Sequence, residues 1–148
     1  MSDQIEIALQ WLAKAKNDLL CAENNLKSEV IPYDTVCFHY QQAAEKLLKA
    51  YLIGKGKQHK FTHDLLLILE DILQVCPDAE SLRDELALLM PYAVEIRYPD
   101  DWFMPSEHDA NEACNAAQKV MEWLKKSIPS LFPGTFECMQ PDMWDKIK

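Results

Sequence analysis

Glycine is scarce in this chain: three occur among 148 residues, beside eight prolines. Runs of β-branched residues are equally few. Both facts disfavour a glycine-rich β fold and suit long helices. No C-x-x-C pair occurs, and the five cysteines (Cys21, Cys37, Cys76, Cys114, Cys138) are scattered and odd in number. That pattern argues against a zinc site and against a disulfide framework. No run reaches the roughly 18 apolar residues of a membrane span, and the opening MSDQIEIALQ shows no basic-then-apolar leader. The chain reads as a cytoplasmic protein without a membrane partner. There is no phosphate-loop spacing: GKGKQHK follows a helical stretch rather than a strand. No G-x-S-x-G is present either.

Positive charge is also in short supply. Fifteen basic residues face 24 acidic ones, a formal net charge of −9. Such a field repels nucleic-acid phosphates on average, so double-stranded DNA is not an expected partner. The exception is local. Residues 43–63 hold Lys46, Lys49, Lys55, Lys57 and Lys60 against the single acid Glu45, whereas residues 64–122 hold three basic residues and fourteen acids. One side of the molecule is expected to be positive within a negative whole.

What is abundant is helical periodicity. Ile5, Leu9, Leu12, Ala15, Leu19, Ala22 and Leu26 recur every three or four residues, which predicts a helix from about Ser2 to Glu29. Asp34 is placed to cap a second, from Thr35 to about Ile53, with Gly54 and Gly56 ending it. A third starts near Thr62 with Asp64 in its first turn. A fourth begins after a cap at Asp78 and stops at Pro91. Ser106 and Asp109 have capping-box spacing and open a last long helix, with Ala110, Ala113, Ala117, Val120, Leu124 and Ile128 on its buried face and Pro129 as its stop. The expectation is an all-α, up-and-down bundle of four main helices plus one shorter one over residues 1–129. Residues 130–148 form a proline-containing tail whose apolar residues dock on the bundle or on a second copy.

Chemistry-bearing residues concentrate in the second helix and the loop after it, where His39, Glu45, Lys46, Lys49, His59, His63 and Asp64 follow one another. His59 and His63 have the spacing of helical metal ligands, but they sit in a lysine-rich loop with no carboxylate between them, so no metal is expected. Lys46 and Lys49 read either as a solvated face or as a phosphate-facing patch that Lys55, Lys57 and Lys60 extend. Cys37 and His39, two apart on one helix, do not face each other as a nucleophile pair.

The ordered segments CFHYQQAAEKLLKAYL, THDLLLIL, IRYPDD and DANEACNAAQKVMEWLKK resemble the HEPN domain of prokaryotes, over roughly Ile5 to Ile128. The resemblance implies a helical bundle that pairs as a homodimer and associates with a small nucleotidyltransferase, often as a toxin–antitoxin couple. It also implies metal-independent RNA cleavage in one branch and nucleotide or RNA binding in another. The cleaving branch carries an arginine, four residues, then a histidine. Here the fifth position after Arg97 is Trp102. An indole cannot carry a proton near neutral pH as an imidazole does, and a guanidinium stays charged and makes a poor base. The expected role of Arg97 is therefore binding or architecture, through its planar fork on a phosphate or carboxylate, with an internal pair to Asp100 or Asp101 as the structural alternative. Tyr98 stacks on a base or belongs to the core. The candidates for holding a nucleotide or RNA phosphate are thus Arg97, Lys46, Lys49, His63 and Tyr98. No catalytic residue, metal or cofactor is assigned. A divergent ribonuclease toxin is the alternative function, and it would need His63 or His108 to reach Arg97.

Overall fold

The computed structural model of the chain describes residues 3–94 and 104–133. Their helices are α1 (Asp3–Leu26), α2 (Tyr33–Gly54), α3 (Leu65–Leu73), α4 (Arg83–Leu89) and α5 (Glu107–Ser127). Short 3-10 turns precede and follow α4, at Pro77–Leu82 and Met90–Tyr92, and another follows α5 at Pro129–Leu131. The fold is all-α, as expected. Three helices are long, with 24, 22 and 21 residues, and two are short, with 9 and 7. The single helix expected from Asp78 to Pro91 is divided. Pro77 starts a 3-10 turn that contains Asp78, and only Arg83–Leu89 is α-helical.

α2 is the central element. α1 lies along it with the most extensive contact, α5 packs on it as well, and α3 and α4 close the far side. α1 and α2 run antiparallel, since Ala8 approaches Gly54 while Asp18 reaches Lys46 and His39. The stripe read in α5 is buried from Ala110 to Ile128, and so are Leu12, Ala15, Leu19 and Ala22 of α1. Small residues on these faces let the helix backbones come close.

The two glycines near the end of α2 do different jobs. Gly54 is still helical, and a Cβ there would meet Ile128 Cδ1 at 2.9 Å and Ala8 Cβ at 3.8 Å. It lies where α1, α2 and the end of α5 converge. Gly56 has φ +75° and ends the helix. The N–H of Lys57 donates to the Leu52 carbonyl at 2.8 Å and that of Gly56 to Ile53 at 2.9 Å, the paired bonds of a Schellman motif.

The caps bear out one expectation and move two others. Ser106 and Asp109 form the reciprocal capping box. Asp64 is the cap of α3 rather than a first-turn residue, its carboxylate accepting from Leu66 and Leu67. α2 starts two residues earlier than expected, so Asp34 lies inside its first turn. Of the tail, Leu131 and Phe132 are buried on the bundle. The Phe132 ring takes Lys16 and Lys125, each Nζ 5.8 Å from its centroid, and burial lowers the pKa of both amines. The rest of the tail lies outside the described residues.

Burial pushes the Cys37 thiol up to about 12, with Asp109 and Asp34 adding to the shift. It also pushes the Tyr51 and Tyr92 phenols up to about 12. An acid whose folded-state pKa is raised stabilises the fold below its unfolded pKa, and that contribution disappears as pH climbs toward the folded value. The urea midpoint is therefore expected to fall from about pH 9 toward pH 12. In Cys37→Ser the onset should move up to about pH 10, where the tyrosines begin to titrate. An unchanged onset in that variant would contradict the assignment.

Candidate functional site

Two charged groups lie along α2, and each is built around a carboxylate that interrupts an apolar stripe. Asp18 falls between Ala15, Leu19 and Ala22 on the inner face of α1 and is 7% exposed. It accepts from Lys46 Nζ through one oxygen and from His39 Nδ1, at 2.9 Å, through the other. Glu45 stands one residue after Ala44 on α2 and is 3% exposed. It accepts from Lys49 Nζ at 3.0 Å and from His63 Nδ1 at 2.8 Å. Both carboxylates are thus shared between an amine and an imidazole, which is how a buried charge is tolerated.

The second group is tied into the loop that follows α2. Gln41, fully buried, donates Nε2 to the His63 carbonyl at 3.2 Å, while Gln42 Nε2 donates to Gln41 Oε1 at 2.7 Å. The next residue, Asp64, caps α3, and its own N–H donates to the Thr62 hydroxyl oxygen at 3.1 Å. His63 is therefore held at its ring, at its carbonyl and by its neighbour. An ionised carboxylate only accepts, so the Nδ1–H of His63 faces Glu45 and the rest of the ring points away. The His63 side chain is 70% exposed against 4% for Glu45. The arrangement offers solvent an imidazole of fixed orientation on a buried acid, a form suited to donating to an anion or carrying a proton.

From Lys49 a line of rings leads to the surface. Its Nζ lies 5.6 Å from the Trp11 ring, the Trp11 and His59 centroids are 4.8 Å apart, and those of His59 and Phe61 5.4 Å, both ring pairs edge to face. Beside this line, between the loop and α3, is a cleft of about 460 Å³ lined by Lys57, His59, Lys60, Asp71 and Gln74. Lys60 pairs with Asp71 at 3.3 Å.

The sequence-derived candidates therefore divide. His63 and Lys49 meet on Glu45. Lys46 belongs to the neighbouring group on Asp18. Neither lysine forms a solvated face: Lys49 is 4% exposed and the Lys46 side chain 22%. Of the five lysines between residues 43 and 63, the exposed ones are Lys55, Lys57 and Lys60. His59 and His63 turn to different partners, an aromatic ring and a carboxylate. Cys37 is buried and His39 is bound to Asp18. Arg97 and Tyr98 lie outside the described residues. His108 pairs with Glu112 on α5 at 2.9 Å. Sequence reasoning missed Asp18, Gln41 and Trp11. The signal for Asp18 was available: a lone acid at a position of the α1 stripe.

The chain as a whole is similar to known proteins. The family model described as HEPN domain matches residues 8–128. A Methanocaldococcus jannaschii protein named "Putative toxin MJ1304" is 28% identical over 136 residues, covering 82% of this chain and 88% of that protein. The crystal structure of TT1696 from Thermus thermophilus superposes with a TM-score of 0.70 at 28% identity, covering 81% of this chain and 97% of that one.

Proposed function

The chain belongs to the HEPN domain family, and from that premise we propose that it is a binding and interaction module of toxin–antitoxin type. In this reading it acts as a homodimer in the cytoplasm, contacts its second copy through α5 or the tail, and pairs with a small nucleotidyltransferase. It holds the phosphate of a nucleotide or RNA with Arg97 and the fixed His63 imidazole. The observation that carries the reading is the clamp of His63 on buried Glu45, 2.8 Å from ring nitrogen to carboxylate. A rigid donor loses little freedom when an anion arrives. The basic loop beside it and the toxin named among its relatives give further support.

Ligand at 100 times its Kd stabilises the folded state by about 2.7 kcal/mol. In a chain of this size that is a melting shift of roughly 5–10 °C. We expect such a shift with ATP or a short RNA, its loss in Arg97→Ala and its reduction in His63→Ala. Absence of any shift with nucleotides and RNA would leave a structural bundle without a ligand.

One observation favours a second reading, a divergent ribonuclease. A histidine oriented by a buried carboxylate is also the form of a general acid or base. That reading requires His63 to act with Arg97 on the 2′-hydroxyl and phosphate of one nucleotide.

A further inference from the structure

Phe61 is 99% exposed. Leaving a phenylalanine in water forgoes about 1.5–3 kcal/mol of burial; a single exposed ring is ordinary, and what distinguishes this one is its setting. Its surroundings select the partner's chemistry. From Lys55 to His63 the loop contains three lysines, two histidines and no acid, in a chain of net charge −9. The residues flanking Phe61 are polar or cationic: Gln58, His59, Lys60 and Thr62. An apolar protein surface would find one ring amid cations. A flat, anionic molecule finds a ring to stack on and amines for its charge. His59 meets Phe61 edge to face and in turn packs on Trp11, so the ring is backed by two more. Gly56 at φ +75° turns the loop out of α2, and Asp64 anchors its far end. The cleft of about 460 Å³ beside His59 carries Lys57 and Lys60 on its wall together with Asp71, the partner at 3.3 Å that Lys60 would exchange for a phosphate.

We infer that the α2–α3 loop is a stacking site for single-stranded nucleic acid, with an unpaired base on Phe61 and the adjoining phosphates on Lys57 and Lys60. The inference rests on the nucleic-acid half of the proposed function but draws on residues other than Arg97. Stacking on an aromatic ring contributes about 1–3 kcal/mol per base and tolerates any base, so the site is expected to read single-strandedness rather than sequence. A duplex keeps its bases stacked on one another and offers Phe61 nothing.

The test is fluorescence anisotropy with a labelled 12-nucleotide RNA, the DNA of the same sequence, and the corresponding duplex. Phe61→Ala is expected to weaken single-strand binding about tenfold or more while Phe61→Trp retains it. Lys57→Ala with Lys60→Ala should reduce the salt slope by about 1.4, or roughly 0.7 for each phosphate no longer neutralised. RNA and DNA should respond to Phe61→Ala alike. Because Phe61 stands in solvent rather than in the core, circular dichroism of the variant should match the parent. Equal binding by Phe61→Ala overturns the inference. So does a Phe61→Ala variant that binds normally but loses its oligomeric mass, which would make the ring a protein contact. Binding lost in Arg97→Ala but kept in Phe61→Ala leaves the proposed function standing and removes this site. Binding lost in Phe61→Ala, with no ATP shift and no effect of Arg97→Ala, does the reverse.

Discussion

Glu45→Ala is expected to lower the unfolding free energy by about 3–5 kcal/mol, the cost of stranding a buried charge without its partner. Lys49 is 4% exposed, and Glu45 is its counter-charge at 3.0 Å. Removing the carboxylate leaves an ammonium against Trp11 with little water to solvate it. It also releases the His63 ring, although His63 is largely exposed and regains water. The asymmetry separates the two partners: His63→Ala should cost less than about 1 kcal/mol, as an exposed pair does. Replacing both buried charges, Glu45→Leu with Lys49→Met, should recover most of the loss, because apolar packing of similar volume often equals a buried ion pair. Urea denaturation of the four proteins reads all of this. A single Glu45→Ala with parental stability would show that the pair is solvated.

Leu69→Ala should cost about 2–5 kcal/mol. Leu69 is fully buried on α3, a helix of nine residues held down by Leu65, Ile68, Leu69 and Ile72. A helix that short does not persist in water by itself, so its place depends on packing. The consequence reaches the site, since Asp64, the cap of α3, fixes the loop that carries His63 and Phe61. Hydrogen exchange at Leu66 and Leu67, whose N–H groups donate to Asp64, should speed up in the variant more than exchange in the middle of α2. Uniform acceleration throughout the chain would mean that α3 does not open as a separate unit.

The long helices were legible because their apolar spacing is strict and their caps are local. Ser106 with Asp109 needed only four residues of sequence to be read. The segment from Pro77 to Tyr92 was not, because spacing alone does not separate α-helical from 3-10 turns, and Pro77 and Pro91 each favour the tighter form at a helix end. The Glu45–Lys49 pair was readable as an i, i+4 spacing. The pairing of Asp18 with Lys46, 28 residues away, follows only from how α1 lies on α2. For the same reason the five lysines looked like one patch. Helical phase turns Lys46 and Lys49 inward to α1 and leaves the loop lysines outside. The motif at Arg97 was read from its residue types, and the replacement of an imidazole by Trp102 is the chemical ground for the role proposed for it.

The most direct measurement incubates nuclease-free protein with an end-labelled single-stranded RNA at pH 6–8 without divalent metal, then resolves the products by size. The account predicts RNA that is bound and intact. Fragments that appear with the parent protein and vanish in both Arg97→Ala and His63→Ala would contradict it, making the His63–Glu45 pair half of a cutting site.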